Sequence, residues 1–257
     1  MTRRFLSRCL SQVGLLDSAR SAKRLFWSAT ARQRRRQALA FYSQFIRKDD
    51  LCFDIGANVG ARTDIFWRLG ARTVAVEPQP HCAQELRRLH GHHASVAIVE
   101  SAVGSAVGKE RMWINDGQSL VSSMSRAWMN AVVDSGRWTE NCWDRDIVVP
   151  VTTLDQLIAE QGFPRFCKID VEGYELKVLL GLSHHISVVS LEFTQERLTD
   201  AHKCLARLVQ LGPYEFNFSL GESFDFDRWD TPESMLQRLR ARLEGERHVS
   251  GDIYARA

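Results

Sequence analysis

The run from Leu51 to Thr63 narrows most sharply what this chain can fold into. Leu51, Cys52, Phe53, Asp54 and Ile55 form a largely apolar run of the length of a buried strand. A tight loop with Gly56, Asn58 and Gly60 comes next, and then a helical pattern through Ile65, Phe66 and Leu69 that ends at Gly70. Strand, glycine turn and helix are how α/β sheets present backbone N–H groups and a helix N-terminus to a ligand. Glycine there lets a ligand approach the backbone with no Cβ in the way. Taken alone, such a turn can equally be a plain connection, so its meaning depends on the strands and acids further along the chain.

The alternation continues. Residues 73–77 read as a second short buried strand, stopped by Pro78 and Pro80; a helix with Cys82, Leu86 and Leu89 on one face runs to Gly91, and residues 96–99 form a third strand. Strands alternating with helices of about ten residues predict a parallel, doubly wound sheet. The rhythm breaks after Gly104. Gly108 and residues 111–115 suggest a hairpin, and residues 116–145 are polar and irregular, with a short helix near 127–133. Four of the seven tryptophans (Trp113, Trp128, Trp138 and Trp143) fall in this stretch, either to stack on an acceptor or to pack an insertion onto the sheet. A strand at 147–151 and a short helix marked by Leu154, Leu157 and Ile158 come next. The α/β order resumes with strands at 166–170 and 188–193, separated by a helix over about 173–180. A helix with Ala201, Leu205 and Leu208 on one face, a strand at 214–220, a helix opened by Thr231-Pro232 and a final strand at 251–257 complete the chain.

A hydrophobic content of 44% and a charged content of 25% are ordinary for a soluble globular protein, and no apolar run approaches the roughly 18–20 residues of a membrane span. The six cysteines lie far apart with no CxxC pair, which predicts reduced thiols in a cytoplasmic protein and neither a disulfide frame nor a zinc site. His90, His92 and His93 surround Gly91, where polar residues are expected at a helix end, so no metal site is expected. The net charge of +3 hides an asymmetry: residues 1–48 carry twelve Lys/Arg against Asp17 alone, and the remainder is acidic. The expected layout is a basic helical N-terminal extension over 1–48 and one domain over 49–257, with an insertion or lid at about 105–145. The extension serves either an anionic partner, such as a membrane surface or nucleic acid, or targeting, or it simply packs its apolar residues on the acidic body.

Glu77 ends the second strand, seventeen positions after Gly60, where nucleotide-binding α/β folds place an acid that accepts hydrogen bonds from ribose hydroxyls. A dinucleotide fingerprint wants G-x-G-x-x-G, but Asn58 replaces the second glycine, and the carboxylate of Asp54 would repel a pyrophosphate. An adenosyl ligand with an amino-acid tail and no phosphate fits better, which points to S-adenosylmethionine. Five blocks in order resemble the FkbM family of S-adenosylmethionine-dependent methyltransferases. They are Asp54-Ile-Gly-Ala-Asn-Val-Gly60, Val76-Glu-Pro-Gln-Pro80, Ala102-Val-Gly104, Thr153-Leu-Asp155, and Lys168-Ile-Asp-Val-Glu-Gly173 with Glu175. The resemblance implies a Rossmann-like class I methyltransferase fold: a seven-stranded, mostly parallel sheet with helices on both faces and the last strand antiparallel. It also implies O-methylation of a sugar, glycan or natural-product small molecule. By that resemblance Asp54, Gly56, Ala57, Asn58 and Gly60 hold the methionine part of the cofactor and Thr63 bonds its carboxylate. Glu77 binds the ribose, while Pro78, Gln79, Ser101 and Ala102 flank the adenine.

Lys168, Asp170 and Glu172 point the same way along a strand, at the carboxyl end where α/β sheets bind ligands. Methyl transfer to a hydroxyl needs the acceptor aligned and its proton removed. Asp170, which also touches the cofactor region, and Glu172 are the candidate bases, Lys168 tunes either one, and Glu192 at the end of the next strand faces the acceptor. The plainer alternative is an ion pair between Lys168 and Glu172, with Glu172 capping the following helix. Two other functions stay open: a nucleic-acid methyltransferase using the basic extension, and a non-catalytic cofactor-binding scaffold.

Overall fold

The structure, a computed structural model, describes residues 31–115, 119–137, 143 and 145–257. The chain divides into two units, Met1–Phe41 and Tyr42–Ala257. Of the first, residues 31–41 are helical, and residues 1–30 of the expected basic extension lie outside the described residues, as do Trp138 and Cys142.

The second unit contains ten strands among its described residues: β1 (Leu51–Ile55), β2 (Arg72–Val76), β3 (Val96–Val99), β4 (Ala102–Val103), β5 (Gly108–Ile114), β6 (Arg145–Thr152), β7 (Phe166–Ile169), β8 (Val188–Thr194), β9 (Glu215–Leu220) and β10 (Ser250–Arg256). Seven of them make one sheet in the order β3-β2-β1-β7-β8-β10-β9. The pairings from β3 to β8 are parallel, and β10 runs antiparallel to both β8 and β9. This is the mostly parallel sheet with an antiparallel last strand that the family resemblance implied. Every residue of β1 and β7 is buried, as expected for central strands covered on both faces, which is why both read as continuous apolar runs. One core cluster joins these strands to Leu205 and Leu208 of the helix Leu198–Leu211 and to Leu236 and Leu239 of the helix Pro232–Leu243. Thr231 caps that last helix through its side chain, accepting from the Ser234 N–H. Tyr42 packs edge-on and Phe45 face-on against the sheet side chain Phe166, with ring centroids 5.7 and 5.9 Å away.

The region after Gly104 differs from the sequence expectation. β5 does not fold back as a local hairpin. It pairs along its whole length with β6, from Gly108↔Val151 to Ile114↔Arg145, and β6 also takes β4 in parallel, giving a separate three-stranded sheet. The driving burial is modest and non-local: Met112 and Ile114 of β5 pack with Val149 and Val151 of β6 and with Ala102. Between the two strands, the helix Arg126–Asp134 buries Trp128 with Val121, Met129 and Val132, and Trp113 and Trp143 pack against this cluster. The Trp143 indole N–H donates to the Val121 carbonyl at 2.8 Å. Trp113, Trp128 and Trp143 thus hold the insertion together, and none of them lines the large cavity at the carboxyl ends of the central strands.

Two glycines set close approaches. Gly56 has φ +81°, and a Cβ there would run into the carbonyl oxygen of Asp170. Gly173 has φ +87°, and a Cβ there would collide with Trp128, so the insertion sits directly on the loop after β7. Both positions combine left-handed backbone with contact, and only glycine satisfies both. Gly56→Ala therefore costs about 3 kcal/mol or more, from backbone strain together with displacement of the Asp170 carbonyl. Urea denaturation of the variant measures this; a loss under about 1 kcal/mol would mean that β1 and the loop after β7 separate easily.

Candidate active site

A cavity of about 490 Å³ opens at the carboxyl ends of β1, β2 and β7 and extends to the start of β10, with the insertion forming part of its wall. That volume is within the usual range for small-molecule sites. One end is organised by Glu77, whose two carboxylate oxygens each accept a backbone N–H: Oε2 from Asn58 and Oε1 from Gln79, both at 2.8 Å. Asn58 adopts a left-handed φ of 48°, a conformation asparagine tolerates better than most residues. Its side chain closes the turn by accepting from the Val59 N–H at 2.9 Å and donates to Ser119 of the insertion at 3.3 Å. Burial pushes the Glu77 carboxyl up to about 7, against the lowering effect of the Gln79 and Asn58 N–H groups. Gln79 donates its amide to the Ser119 carbonyl at 3.1 Å, which leaves its buried Oε1 with no hydrogen-bond partner beside the cavity. Ser101 spends its hydroxyl on the carbonyls of Ala102 and Pro150, at 2.8 and 3.0 Å.

The other end is a charge network. Lys168 is 1% exposed, and its ammonium donates to Asp252 Oδ1 at 2.7 Å and to Asp170 Oδ2 at 3.1 Å. The two carboxylates, with Glu192, keep the ammonium charged despite burial and raise its pKa. Asp170 is lowered, because Lys168 and a hydrogen bond from Glu192 outweigh its own burial. The carboxylates of Asp170, Glu172 and Glu192 lie within 4.8 Å of one another. Burial, and then the negative charge of Asp170, push Glu172 and Glu192 well up. Glu172 has a left-handed φ of 53°, its carbonyl accepts from the Ser123 hydroxyl at 2.7 Å, and its buried Oε2 has no hydrogen-bond partner.

The cavity thus brings together Asp54, Gly56, Ala57, Asn58, Glu77, Pro78, Gln79, Ser101, Ala102, Asp170, Glu172 and Glu192. Three predicted site residues stand behind the wall. Gly60 is the cap of the helix Ala61–Arg68, with φ 91°, and packs against Leu86 and His90. Thr63 is buried and gives its hydroxyl to Asp54 Oδ2 at 2.6 Å, so that hydroxyl is already committed within the protein. Lys168 acts from beneath, through Asp170 and Asp252, and its ammonium is not paired with Glu172 as the plainer alternative had it. Glu172 does not cap the helix Glu175–Leu180; Glu175 instead folds back to accept the N–H groups of Val171 and Gly173, each at 3.2 Å.

Asp252, Arg62, Arg137 and Ser119 line the cavity and were not singled out from the sequence. Asp252 carried one available signal, being the lone acid in the final strand. Arg62 carried another, as a cation one residue beyond the glycine loop.

The family model for the methyltransferase FkbM domain matches residues 54–231. No curated protein matches the chain. Among solved structures, a precorrin-6Y C5,15-methyltransferase from Geobacter metallireducens is 12% identical, covers 87% of each chain and has a TM-score of 0.46. A TehB-like SAM-dependent methyltransferase from Corynebacterium glutamicum is 8% identical over 86% of this chain and 88% of its own, with a TM-score of 0.41. Fibrillarin from Aeropyrum pernix, solved with natively bound S-adenosyl-L-methionine, is 8% identical over 82% of this chain and 68% of its own, with a TM-score of 0.42. At these scores the likeness adds nothing to the strand order itself.

Lys168→Met leaves the buried Asp252 and the partly exposed Asp170 without their cation and costs about 3 kcal/mol in urea denaturation, the low end for a broken buried pair because Asp170 keeps solvent contact. A second outcome concerns Glu175, which burial raises to about 7 from the usual 4.5. A raised carboxyl keeps its proton in the folded state over a window where the unfolded chain has released it, so its contribution to stability is lost as pH rises from 4.5 to 7. Glu175→Gln flattens that part of the stability profile; an unchanged slope would show that Glu175 is already ionised there.

Proposed function

We propose that this chain, which belongs to the FkbM methyltransferase family, is an O-methyltransferase for a hydroxyl of a sugar, glycan or natural-product small molecule. The family makes it an S-adenosylmethionine-dependent methyltransferase. The single observation that carries the finer reading is the carboxylate group of Asp170, Glu172 and Glu192 at the cavity wall, at the end of the cavity away from the Glu77 turn.

The residues present fit the cofactor. Glu77, fixed by two backbone N–H groups, has lone pairs left for ribose hydroxyls, and the unpartnered Oε1 of Gln79 suits the amino group of an adenine. The wall formed by Asp54, Gly56 and Ala57 leaves room for an amino-acid tail, with the Asp54 carboxylate suited to its ammonium. The bound cofactor supplies an electrophilic methyl group on a sulfonium.

The chain's own part is to position the hydroxyl and accept its proton. Asp170, kept ionised by Lys168, is a fixed anion that accepts a hydrogen bond and orients the acceptor. Glu172 is the proposed base: its Oε2 has no partner, and burial, with the charge of Asp170 second, raises its affinity for the proton that its ionised form accepts. Glu192 adjoins both and, by donating to Asp170, helps to keep that carboxylate ionised. A nucleic-acid acceptor has its support in residues 1–48, of which the first thirty lie outside the described residues. No helix among the described residues is long and apolar enough to cross a membrane, and four buried free cysteines are consistent with the cytoplasmic location we propose.

With a panel of hydroxylated acceptors and S-adenosylmethionine, mass spectrometry should find a gain of about 14 daltons, one methyl for one proton, on oxygen in one class. Glu172→Gln should lower kcat roughly 10²- to 10⁴-fold while S-adenosylhomocysteine still binds. Unchanged kcat in that variant would remove Glu172 as the base, and methylation at nitrogen or carbon would remove the O-methyltransferase reading. Ribose hydroxyls need the ionised Glu77, so affinity for S-adenosylhomocysteine should rise as pH rises through about 7 and level off above it. Calorimetry of Glu77→Gln should show weak binding without that pH dependence.

A further inference from the structure

Resting on the cofactor reading above, we propose that Arg62 is the residue that reads the α-carboxylate of the cofactor's amino-acid tail. The hydroxyl expected to do so belongs to Thr63, which is fully buried and already donates to Asp54 at 2.6 Å. That leaves a carboxylate at this end of the cavity without its expected partner.

Among the described residues, three cationic side chains are near. Lys168 is buried behind the wall between Asp170 and Asp252. Arg137 lines the cavity from the insertion side but is committed to a buried pair, with Glu196 at 3.3 Å and that glutamate side chain only 6% exposed. Arg62 lines the same cavity, and its partner Glu222, at 3.2 Å, has a side chain 49% exposed. With side chains 20% and 49% exposed, this pair is more open to exchange than the 11% and 6% of Arg137–Glu196, whereas an enclosed bidentate guanidinium–carboxylate pair is strong.

The surroundings of Arg62 prepare it for this exchange. Its guanidinium carbon lies 5.5 Å from the Phe224 ring and 6.0 Å from the Tyr42 ring, which orient the plane without using its N–H groups. It belongs to the first turn of the helix Ala61–Arg68, where the helix dipole also favours an anion. Burial raises Asp54, and the charge of Arg62, after the Thr63 hydrogen bond and Lys168, offsets part of that rise. Arg62 directly precedes Thr63, whose hydroxyl is bonded to Asp54, and it lines the cavity with Asp54, so it belongs to the Asp54 end of the wall. With Asp54 suited to the ammonium, Arg62 completes a zwitterion clamp formed by an anion and a cation on opposite sides of the Gly56 turn.

The test compares two ligands by calorimetry on the full chain: S-adenosylhomocysteine and its decarboxylated analogue S-adenosyl-3-thiopropylamine, which keeps the amine and lacks only the carboxylate. Wild type should bind the first roughly ten- to hundred-fold more tightly. Arg62→Ala should weaken S-adenosylhomocysteine by that factor, leave the analogue unchanged and so abolish the preference. Glu222→Gln, at a half-exposed position, removes the competing carboxylate and should widen the preference; it also answers the question if Arg62→Ala fails to fold. Equal loss of both ligands in Arg62→Ala, or a preference unaltered in Glu222→Gln, would overturn the assignment. Equal affinity of wild type for both ligands would overturn it while keeping the cofactor reading. Binding of neither ligand by wild type would remove the cofactor reading itself.

Discussion

A buried ammonium costs several kcal/mol unless paired, and Lys168 is tolerable only because Asp170, just past the end of β7, and Asp252 of β10 both meet it. Those strands are not neighbours: β8 lies between β7 and β10. Lys168 stands in register with Ser190 of β8, and so does Tyr254 of β10, so a small side chain on the intervening strand leaves the lysine room to cross. The same ammonium ties the antiparallel last strand to the parallel centre of the sheet and fixes which carboxylate is ionised. Architecture and acid–base chemistry therefore depend on one cation. Asp170 answers to Lys168, and Glu172 and Glu192 answer to Asp170.

The cavity has a neutral-seeking end and a charged end, and the same element, the Gly56 turn, positions both. On one side its Asn58 N–H fixes the Glu77 carboxylate; on the other its Gly56 lies against the Asp170 carbonyl. A change in this turn consequently reaches the Glu77 carboxylate and the acid cluster together. That coupling gives a physical reason for the dense pattern of small and polar residues between Asp54 and Gly60, beyond the phosphate-binding logic that similar turns serve elsewhere.

The features legible in the sequence were local and periodic. β1, β2, β7 and β8 announced themselves because strands buried on both faces read as apolar runs, and Glu77 stood out by its place at the end of one. The helix Pro232–Leu243 was legible from its Thr-Pro start. The features that were not legible depended on partners far along the chain. β5 looked like half of a hairpin because nothing in residues 108–114 says that its partner begins at Arg145. Asp252 gains its meaning only from Lys168, eighty-four positions earlier. Thr63 sat at the right place for a ligand contact, but its hydroxyl was claimed by Asp54 on the adjoining strand, a competition that sequence spacing does not register. The tryptophans could be read as a sugar platform or as packing until their neighbours were known, and Trp128 proved to be core.

The contact between the insertion and the loop after β7 has a consequence for how acceptor preference can change over time. Trp128 rests where a side chain on Gly173 would be, and Ser123 holds the carbonyl of Glu172. Transplanting this segment between relatives would thus re-aim Glu172 as well as reshape the pocket. On the role proposed above for Glu172, pocket shape and proton transfer are coupled through this one contact.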